Sequence, residues 1–560
     1  MTERILIGVA WPYASGPLHL GHVAGAYLPP DIFVRYHRTK GNEVLMVSGT
    51  DEHGTPITIK AEQESIPPAQ LARKYHDIIV MNFKKLGISF DLFTSTTTNN
   101  HIEVSQDFFL TLLKKNYIYK ARVLQPYCPK CQRGLADRYV EGICPFCAAP
   151  GARGDQCDLC GKPLDAINLK SPHCRVCGTT PEFRETEHFF LKLSAFQSKL
   201  LDWTRDKTYW RPNVLNFTRH YLEEGLQDRA ITRDIEWGID VPLEGYEDKR
   251  IYVWFEAVIG YLSAAKEWAK NRGEPEKWRD FWQDKACKVY NFIGKDNIFF
   301  HTIVWPAMLM GYGGLNLPYD VPANEFLTLE GRKFSTSRNF AVWLPDYLNR
   351  YEPEPLRYLF SINMPETNDA DFSWADFVRR NNDELVATYG NLVHRVLTFT
   401  CRNFNFAIPE PGELDARSQG LIELAHETLK KMDDLLYRCH FKEAISVAMS
   451  LAQEANRYLD EKSPWKVIKQ DKASAGTALY TTICIITALR TAMYPFLPFS
   501  SEKLNGYLGF TGSVQSQGWK LELPRPGQKL SPPEVLFKKL DEKVVEEETK
   551  RLELGQAWQG

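Results

Sequence analysis

"ILIGVAWPYASGPLHLGHVAGAYLPPDIFVRY", residues 5–36, runs from a short apolar stretch through a Gly/Pro turn into a helix-compatible segment. A strand, a turn at Pro17 and a helix make the first half of a βαβ unit, with His19 and His22 on one face of the first helical turn. A helix start presents unpaired N–H groups and the positive end of the helix dipole, which suits a phosphate. Two roles fit the imidazoles here: packing or capping residues of the helix, or groups that hold a bound phosphate.

Outward from this stretch the alternation continues. "NEVLMVSGTDEHG" (42–54) reads as a strand, and "PAQLARKYHDIIVMNFKKLG" (68–87) and "HIEVSQDFFLTLLKKNY" (101–117) read as helices. The rhythm predicts a parallel, doubly wound sheet. From about 118 to 182 Cys, Gly, Pro and Asp crowd together and apolar periodicity disappears, as in an insertion with its own means of staying folded. The α/β rhythm resumes at "KRIYVWFEAVIGYLSAAKEWAK" (249–270) and "KVYNFIGKDNIFFHTIVWPAMLMG" (288–311), so the insertion splits the sheet. Beyond about 385 the pattern is helical, with Leu421, Ile422, Leu424, Ala425, Leu429, Met432, Leu435 and Leu436 in an amphipathic stripe. A Pro/Gly-rich link and one charged helix end the chain, free to dock back or to remain mobile.

The expected architecture is α/β: a split Rossmann-like doubly wound sheet, a zinc-knuckle insertion and a C-terminal α-helical bundle. Expected boundaries are 1–117 and 231–325 for the sheet's halves, 118–230 for the insertion and 326–385 for a linking fold. A helical domain over 386–520 and a tail over 521–560 follow.

At 560 residues the chain holds several domains, and a net charge of −2 gives no global field for a polyanion. Nucleic-acid binding then needs local basic and stacking groups. The N-terminus lacks a signal-peptide h-region, and the late apolar run "LYTTICIITAL" (479–489) is too short to span a membrane. A cytoplasmic protein, with no membrane association, is expected.

Twelve cysteines in such a chain point to metal or thiol chemistry before disulfides. Eight form Cys-x-x-Cys pairs: Cys128 and Cys131, Cys144 and Cys147, Cys157 and Cys160, Cys174 and Cys177. Each pair can present two thiolates to one ion, so eight ligands imply two closed structural zinc sites with no open position for substrate. The short middle gap favours Cys144, Cys147, Cys157 and Cys160 around one ion and the outer four around the other; sequential pairing is the competing arrangement. Cys287, Cys401, Cys439 and Cys484 stand alone and read as small core residues.

Residues 330–340, "EGRKFSTSRNF", combine a glycine, the cations Arg332, Lys333 and Arg338, and a run of hydroxyls, a composition suited to gripping phosphate oxygens. "HLGH" on the first helix of a split sheet, with "KFSTS" after its second half, resembles the HIGH and KMSKS pair of class I aminoacyl-tRNA synthetases. "AWPYASGPLHLGH", "GTDEHGTP", "YVWFEAVIGY", "FIGKDNIFFH", the cysteine knuckles and "SPWKV" narrow the resemblance, from residue 5 to about 510, to the methionyl-tRNA synthetases.

That resemblance implies ATP, with Mg2+, and L-methionine as substrates: the methionine carboxylate attacks the α-phosphorus, and methionyl passes from the adenylate to the 3′-terminal adenosine of tRNA(Met), initiator and elongator. Positioning and charge stabilisation supply the rate in such a reaction. It implies catalytic roles for His19, His22 and Lys333, with Gly21, Gly294, Asp296, Lys333 and Thr336 at the nucleotide. Ala10, Trp11, Tyr13, Trp254, Ala257, Val258, Tyr261, Asn297 and His301 would surround the methionine side chain, and Asp51 would take its ammonium. A thioether gains from aromatic contacts, and a Tyr or His donor can test for the weak sulfur acceptor. Thr336 stands where the family usually has a second lysine, and Trp11, Val258 and Asn297 stand where better-known members have Leu, Pro and Ile.

Asn391 and Arg395, four apart, share a helix face, and "EKSPWKVIK" (461–469) reads as a helix start with Ser463 capping, Pro464 in the first turn and Trp465 exposed for stacking. The matching family positions contact the anticodon. No obligate protein partner is evident. Among rivals, the leucine, isoleucine and valine synthetases need a large editing insertion, the cysteine enzyme puts zinc in its substrate pocket, and a zinc-knuckle RNA-binding protein would lack activity.

Overall fold

The computed structural model describes residues 2–135, 139–154, 157, 159–162, 164–335 and 339–555. Its strands include β1 (Arg4–Val9), β2 (Glu43–Thr50), β3 (Leu92–Ser95), β4 (Ile118–Cys128), β5 (Glu182–Leu191), β6 (Lys288–Gly294) and β7 (Ala323–Asn324). Five of them form one sheet in the order β7-β6-β1-β2-β3, with every pairing parallel. Ile5, Leu6, Ile7 and Val9 are all fully buried, which explains the unbroken apolar run: a parallel strand is covered on both faces. From β1 the chain builds to one side through β2 and β3, and returns after the insertion to build on the other. That reversal opens a crevice beyond the carboxyl ends of β1 and β6, where ligands of such sheets bind.

The helix expected after Pro17 begins as a turn at Leu20–His22, widens into a π-helical segment at Val23–Tyr27 and continues as α1 (Leu28–Thr39). Pro29 and Pro30 lack N–H groups for i→i−4 bonds, and Leu28 N–H reaches back to Val23 O instead.

In the insertion β4 and β5 pair antiparallel from Ile118↔Leu191 to Tyr127↔Glu182. Beyond them Leu135, Tyr139, Val140, Leu164 and Leu169 pack with the cysteines in a small core separate from the sheet's. So small a core calls for added cross-linking.

The remaining helices used below are α2 (Val253–Asn271), α3 (Pro353–Ile362), α4 (Asn391–Asn403), α5 (Ala416–Tyr437), α6 (Phe441–Lys462), α7 (Lys472–Met493) and α8 (Lys543–Glu553). In α5 the expected stripe is the packed face: Leu421, Ala425, Leu429, Met432, Leu435 and Leu436 are buried, while Ile422 and Leu424 lie at its margin. The apolar run 479–489 is only the middle of α7, a 22-residue helix long and apolar enough to cross a membrane by length and composition. The run alone therefore understated it, and the helix packs against α5 and α6 as the centre of the bundle.

Arg357 of α3 ties the bundle to the sheet. Its fully buried guanidinium pairs with Asp31 of α1 at 2.7 Å and donates to Leu86 O, Pro495 O and Phe496 O. The tail helix docks. Tyr351 Oη donates to Glu548 Oε1 at 2.7 Å, Arg350 pairs with the same carboxylate, and Val544, Val545 and Leu552 lie against the main core.

Candidate active site

Backbone pairing brings the two phosphate-suited motifs together across more than three hundred residues. Leu20 N–H donates to Val342 O at 3.0 Å and Leu344 N–H to Leu18 O at 2.8 Å, so the segment after "KFSTS" runs along the start of the first helix. His19 lies between two rings: its imidazole stacks on His22 (centroids 3.7 Å apart) and on Phe334 (4.6 Å).

His19 is the residue before the turn, its N-cap, rather than part of the turn itself. Gly21 N–H donates to His19 Nδ1, and His19 N–H donates to His22 Nδ1, each at 3.1 Å. A Cβ on Gly21 would come within 2.9 Å of the His19 ring, so this capping needs glycine there. Burial holds both imidazoles below their ordinary range, His22 to about 4, and part of the His22 residue nonetheless remains exposed to solvent. Neutral rings that accept at Nδ1 carry their proton on Nε2. Capping and phosphate binding are therefore compatible, because the cap leaves an Nε2–H donor on each ring.

Across the crevice β6 ends at Gly294, where a Cβ would meet Asp296 Oδ1 at 2.8 Å; glycine lets that carboxylate fold back over the strand end. Lys333 is exposed on a short strand, Arg332–Lys333, that pairs with Leu327–Leu329. Thr336 and Arg338 lie outside the described residues.

The aromatic residues expected around a side chain gather at the ends of β1, α2 and β6. Ala10 N–H donates to Phe292 O at 3.0 Å, which sets the end of β1 against β6. Tyr13 meets Trp254 edge-on with centroids 6.1 Å apart, and Trp254 stacks on Phe300 at 4.4 Å. Ala257, Val258 and Tyr261 are buried on the same helix, and Asn297 is half-buried.

His301 sits in a second π-helical segment, Phe300–Val304, just before Pro306. Its Nδ1 faces Asn297 O at 2.9 Å, so it carries the proton there, and Nε2 accepts from Tyr261 Oη at 2.7 Å. Burial lowers this imidazole to about 4 and raises the Tyr261 phenol. The expectation of a ready donor for sulfur is thereby modified: Tyr261 has to give up His301 before it can donate to a thioether.

Asp51, at the end of β2, is buried, and burial with the charges of Glu256 and Glu52 holds its carboxyl well above the usual range. Among the described residues no cation pairs with it. Behind it lies a layer that sequence reasoning missed. Glu256, fully buried, meets His53 Nδ1 at 3.0 Å and His101 Nε2 at 3.3 Å, and His101 Nδ1 meets Ser263 Oγ at 2.8 Å. Burial pushes the Glu256 carboxyl up, but the two imidazoles outweigh it and hold the group below its usual value. Glu256 and His53 both fall inside the quoted motifs, a signal left unused, as did Phe300.

The cysteines group as the nested alternative, not the sequential one: Cys128, Cys131, Cys174 and Cys177 in one set, Cys144, Cys147, Cys157 and Cys160 in the other. Four cross-pair sulfur separations of 3.4 to 3.9 Å bracket the roughly 3.8 Å expected of thiolates tetrahedral about zinc at about 2.3 Å. The donor sets fit the ion. The four lone cysteines are buried, as expected.

At the helical end Asn391 is exposed at the start of α4, and one turn on Arg395 stacks over Trp465, 4.4 Å from the ring centroid. Trp465 is half-buried, with one face taken by Arg395. Ser463 does not cap: its backbone is left-handed at φ 41°, which closes α6, and its hydroxyl donates to Asp460 O. Pro464 opens the following turn, Pro464–Val467, as expected.

A family model described as class I tRNA synthetases (M) matches residues 5–397, and one for the anticodon binding domain of methionyl tRNA ligase matches 408–556. The chain belongs to the methionyl-tRNA synthetases. It is 63% identical over 554 residues to the methionine–tRNA ligase of Dehalococcoides mccartyi, covering 99% of this chain and all of that one. Against the enzyme of Thermomicrobium roseum the identity is 52% over 580 residues, 99% of each. The crystal structure of Mycobacterium tuberculosis methionyl-tRNA synthetase bound by methionyl-adenylate superposes with a TM-score of 0.80 at 25% identity, covering 96% of this chain and 100% of that one. The enzyme activates methionine and charges tRNA with it, and its fold is the split α/β sheet with a helical C-terminal region described above.

Proposed function

We propose that the crevice at the ends of β1 and β6 binds ATP, with Mg2+, and L-methionine together. The methionine carboxylate oxygen bonds to the α-phosphorus as the bond to the β-phosphate oxygen breaks and pyrophosphate leaves. A ribose hydroxyl of the 3′-terminal adenosine of tRNA(Met) then takes the acyl group and AMP departs. The observation that carries this assignment is the stacked imidazole pair, whose Nε2–H groups are left unspent by the helix cap beside the loop that bears Lys333.

His19 and His22 would donate to triphosphate oxygens, with Lys333 balancing charge on the departing pyrophosphate. Gly21, Gly294 and Asp296 would line the nucleotide, and Thr336 would supply a hydroxyl where family members carry a lysine. Asp51 would receive the ammonium, a role supported by a buried carboxyl with no cation beside it among the described residues. Ala10, Trp11, Tyr13, Trp254, Ala257, Val258, Tyr261, Asn297 and His301 would hold the thioether. Asn391, Arg395 and Trp465 would read the anticodon of initiator and elongator tRNA(Met), with a base stacking on the part of the Trp465 ring left accessible.

The two four-cysteine sets would each hold Zn2+, which cross-links the insertion and takes no part in the chemistry. A cytoplasmic location fits these substrates, and the divisions at 117, 230, 325, 385 and 520 remain our working domain limits. The test is pyrophosphate exchange with methionine, leucine and cysteine: exchange with methionine alone supports the assignment, and exchange led by another amino acid overturns it.

A further inference from the structure

Trp11 sits in a slot with no spare room. A Cβ on Gly49 of β2 would come within 2.3 Å of Trp11 Cζ3 and 2.6 Å of Cη2; a Cβ on Gly260 of α2 would come within 2.5 Å of Cζ2 and 2.6 Å of Cε2. Separations below about 3 Å are too short for carbon atoms in van der Waals contact. Neither glycine has a positive φ: one lies inside a strand and the other inside a helix, where glycine costs about 0.5–1 kcal/mol relative to alanine. At Gly260 the backbone therefore gives no reason for glycine and the indole does; at Gly49 the neighbouring strand also requires it, since a Cβ there would meet Thr94 O at 2.5 Å. Gly8 of β1 makes room for the neighbouring ring and for an amide together, since a Cβ there would meet Tyr261 Cδ1 and Asn291 Nδ2, each at 2.7 Å.

We propose that Gly260 is a positioning residue that seats the Trp11 indole between α2 and Gly49 of β2 and so sets the depth of the amino-acid pocket, favouring an unbranched thioether the length of methionine's over longer homologues. The inference rests on the assignment of Trp11 to that pocket. Gly260 acts only through the ring, every atom that its Cβ would meet closely being one of the indole's. A methyl group at Gly260 drives the indole out of its slot, whereas a smaller residue at 11 leaves the slot empty.

The test is amino-acid-dependent pyrophosphate exchange on the full chain with methionine and with ethionine, one methylene longer. Overpacking by one methyl typically costs 1–3 kcal/mol, so Gly260→Ala should raise the methionine KM by roughly 5- to 150-fold, with a much smaller change in kcat. Adding Trp11→Leu to Gly260→Ala should restore most of that loss. If Gly260→Ala alone does not fold, recovery of a folded enzyme in the pair is the expected result. Trp11→Leu alone should improve ethionine relative to methionine by about 10-fold or more, the usual worth of one methylene.

An unchanged methionine KM in folded Gly260→Ala, a defect that Trp11→Leu fails to correct in the pair, or unaltered selectivity in Trp11→Leu overturns the proposal. Each of these comparisons is made against a wild-type enzyme that activates methionine. A wild type inactive with methionine defeats the pocket assignment itself, which is a separate failure.

Discussion

The imidazole of His19 and the ring of Phe334 lie nearly parallel, 10° apart in plane and 4.6 Å between centroids. The first helix of the sheet and the loop that carries Lys333 thus meet face to face, one residue from the lysine. Phe334→Ala frees that loop while leaving every proposed phosphate donor in place. Adenylate formation should fall by up to about 100-fold, the typical cost of misplacing a reacting group by an ångström, with methionine KM unchanged. Single-turnover adenylate kinetics read this, and a wild-type rate would show that the stacking does not position the loop.

Asp51 gives a pH dependence with a definite sign. Its carboxyl is held well above the usual range, and pairing with an ammonium needs the carboxylate, so methionine should bind more tightly as pH rises through that elevated value. The methionine KM measured against pH should show this fall, and Asp51→Asn should abolish it along with most of the affinity.

Arg357 and Asp31 form the other buried charge pair of consequence. Arg357→Met removes one of the two guanidiniums paired with the buried Asp31 carboxylate and leaves Leu86 O, Pro495 O and Phe496 O without their donor, and about 1–3 kcal/mol of unfolding free energy should be lost in urea titrations. Asp31 is held below the usual carboxylate range: burial pushes it up, but Arg35, Arg357 and Ser89 outweigh that. A depressed folded value contributes stability above the unfolded carboxyl value of about 3.9 and loses it as pH falls through the folded one, so wild-type stability should decline in that acid window. In Arg357→Met the contribution should shrink.

The four-cysteine sets make metal content a direct readout. Two zinc ions per chain are expected by elemental analysis, one for each set. Cys144→Ser should lower the content toward one and make the insertion easier to cleave with protease, while methionine-dependent exchange should be largely retained, the outcome expected of an ion that only cross-links.

Much of this was legible in the chain itself. The apolar run of β1, the glycine and proline before His19, and the cysteine spacing each follow from local rules of burial, turn formation and metal ligation. What was not legible depends on distance in space. Whether Cys128 pairs with Cys174 or Cys144 is set by the return of β5 along β4. The left-handed backbone of Ser463 is imposed by the end of α6. The proton on His301 is assigned only by Asn297 O and Tyr261 Oη, which arrive from the loop after β6 and from α2. Glu256 needed His53 and His101 beside it before it meant more than one acidic residue on an apolar helix.

The central claim is a division of labour between Lys333 at the nucleotide and Trp465 at the anticodon. Pyrophosphate exchange and tRNA charging measured side by side on Lys333→Ala and Trp465→Ala test it most directly. Lys333→Ala should lose both activities, by about 100-fold or more, as the removal of one charge-stabilising group does elsewhere. Trp465→Ala should exchange at the wild-type rate and charge tRNA poorly. Wild-type exchange in Lys333→Ala, or equal loss of both activities in Trp465→Ala, would contradict the account.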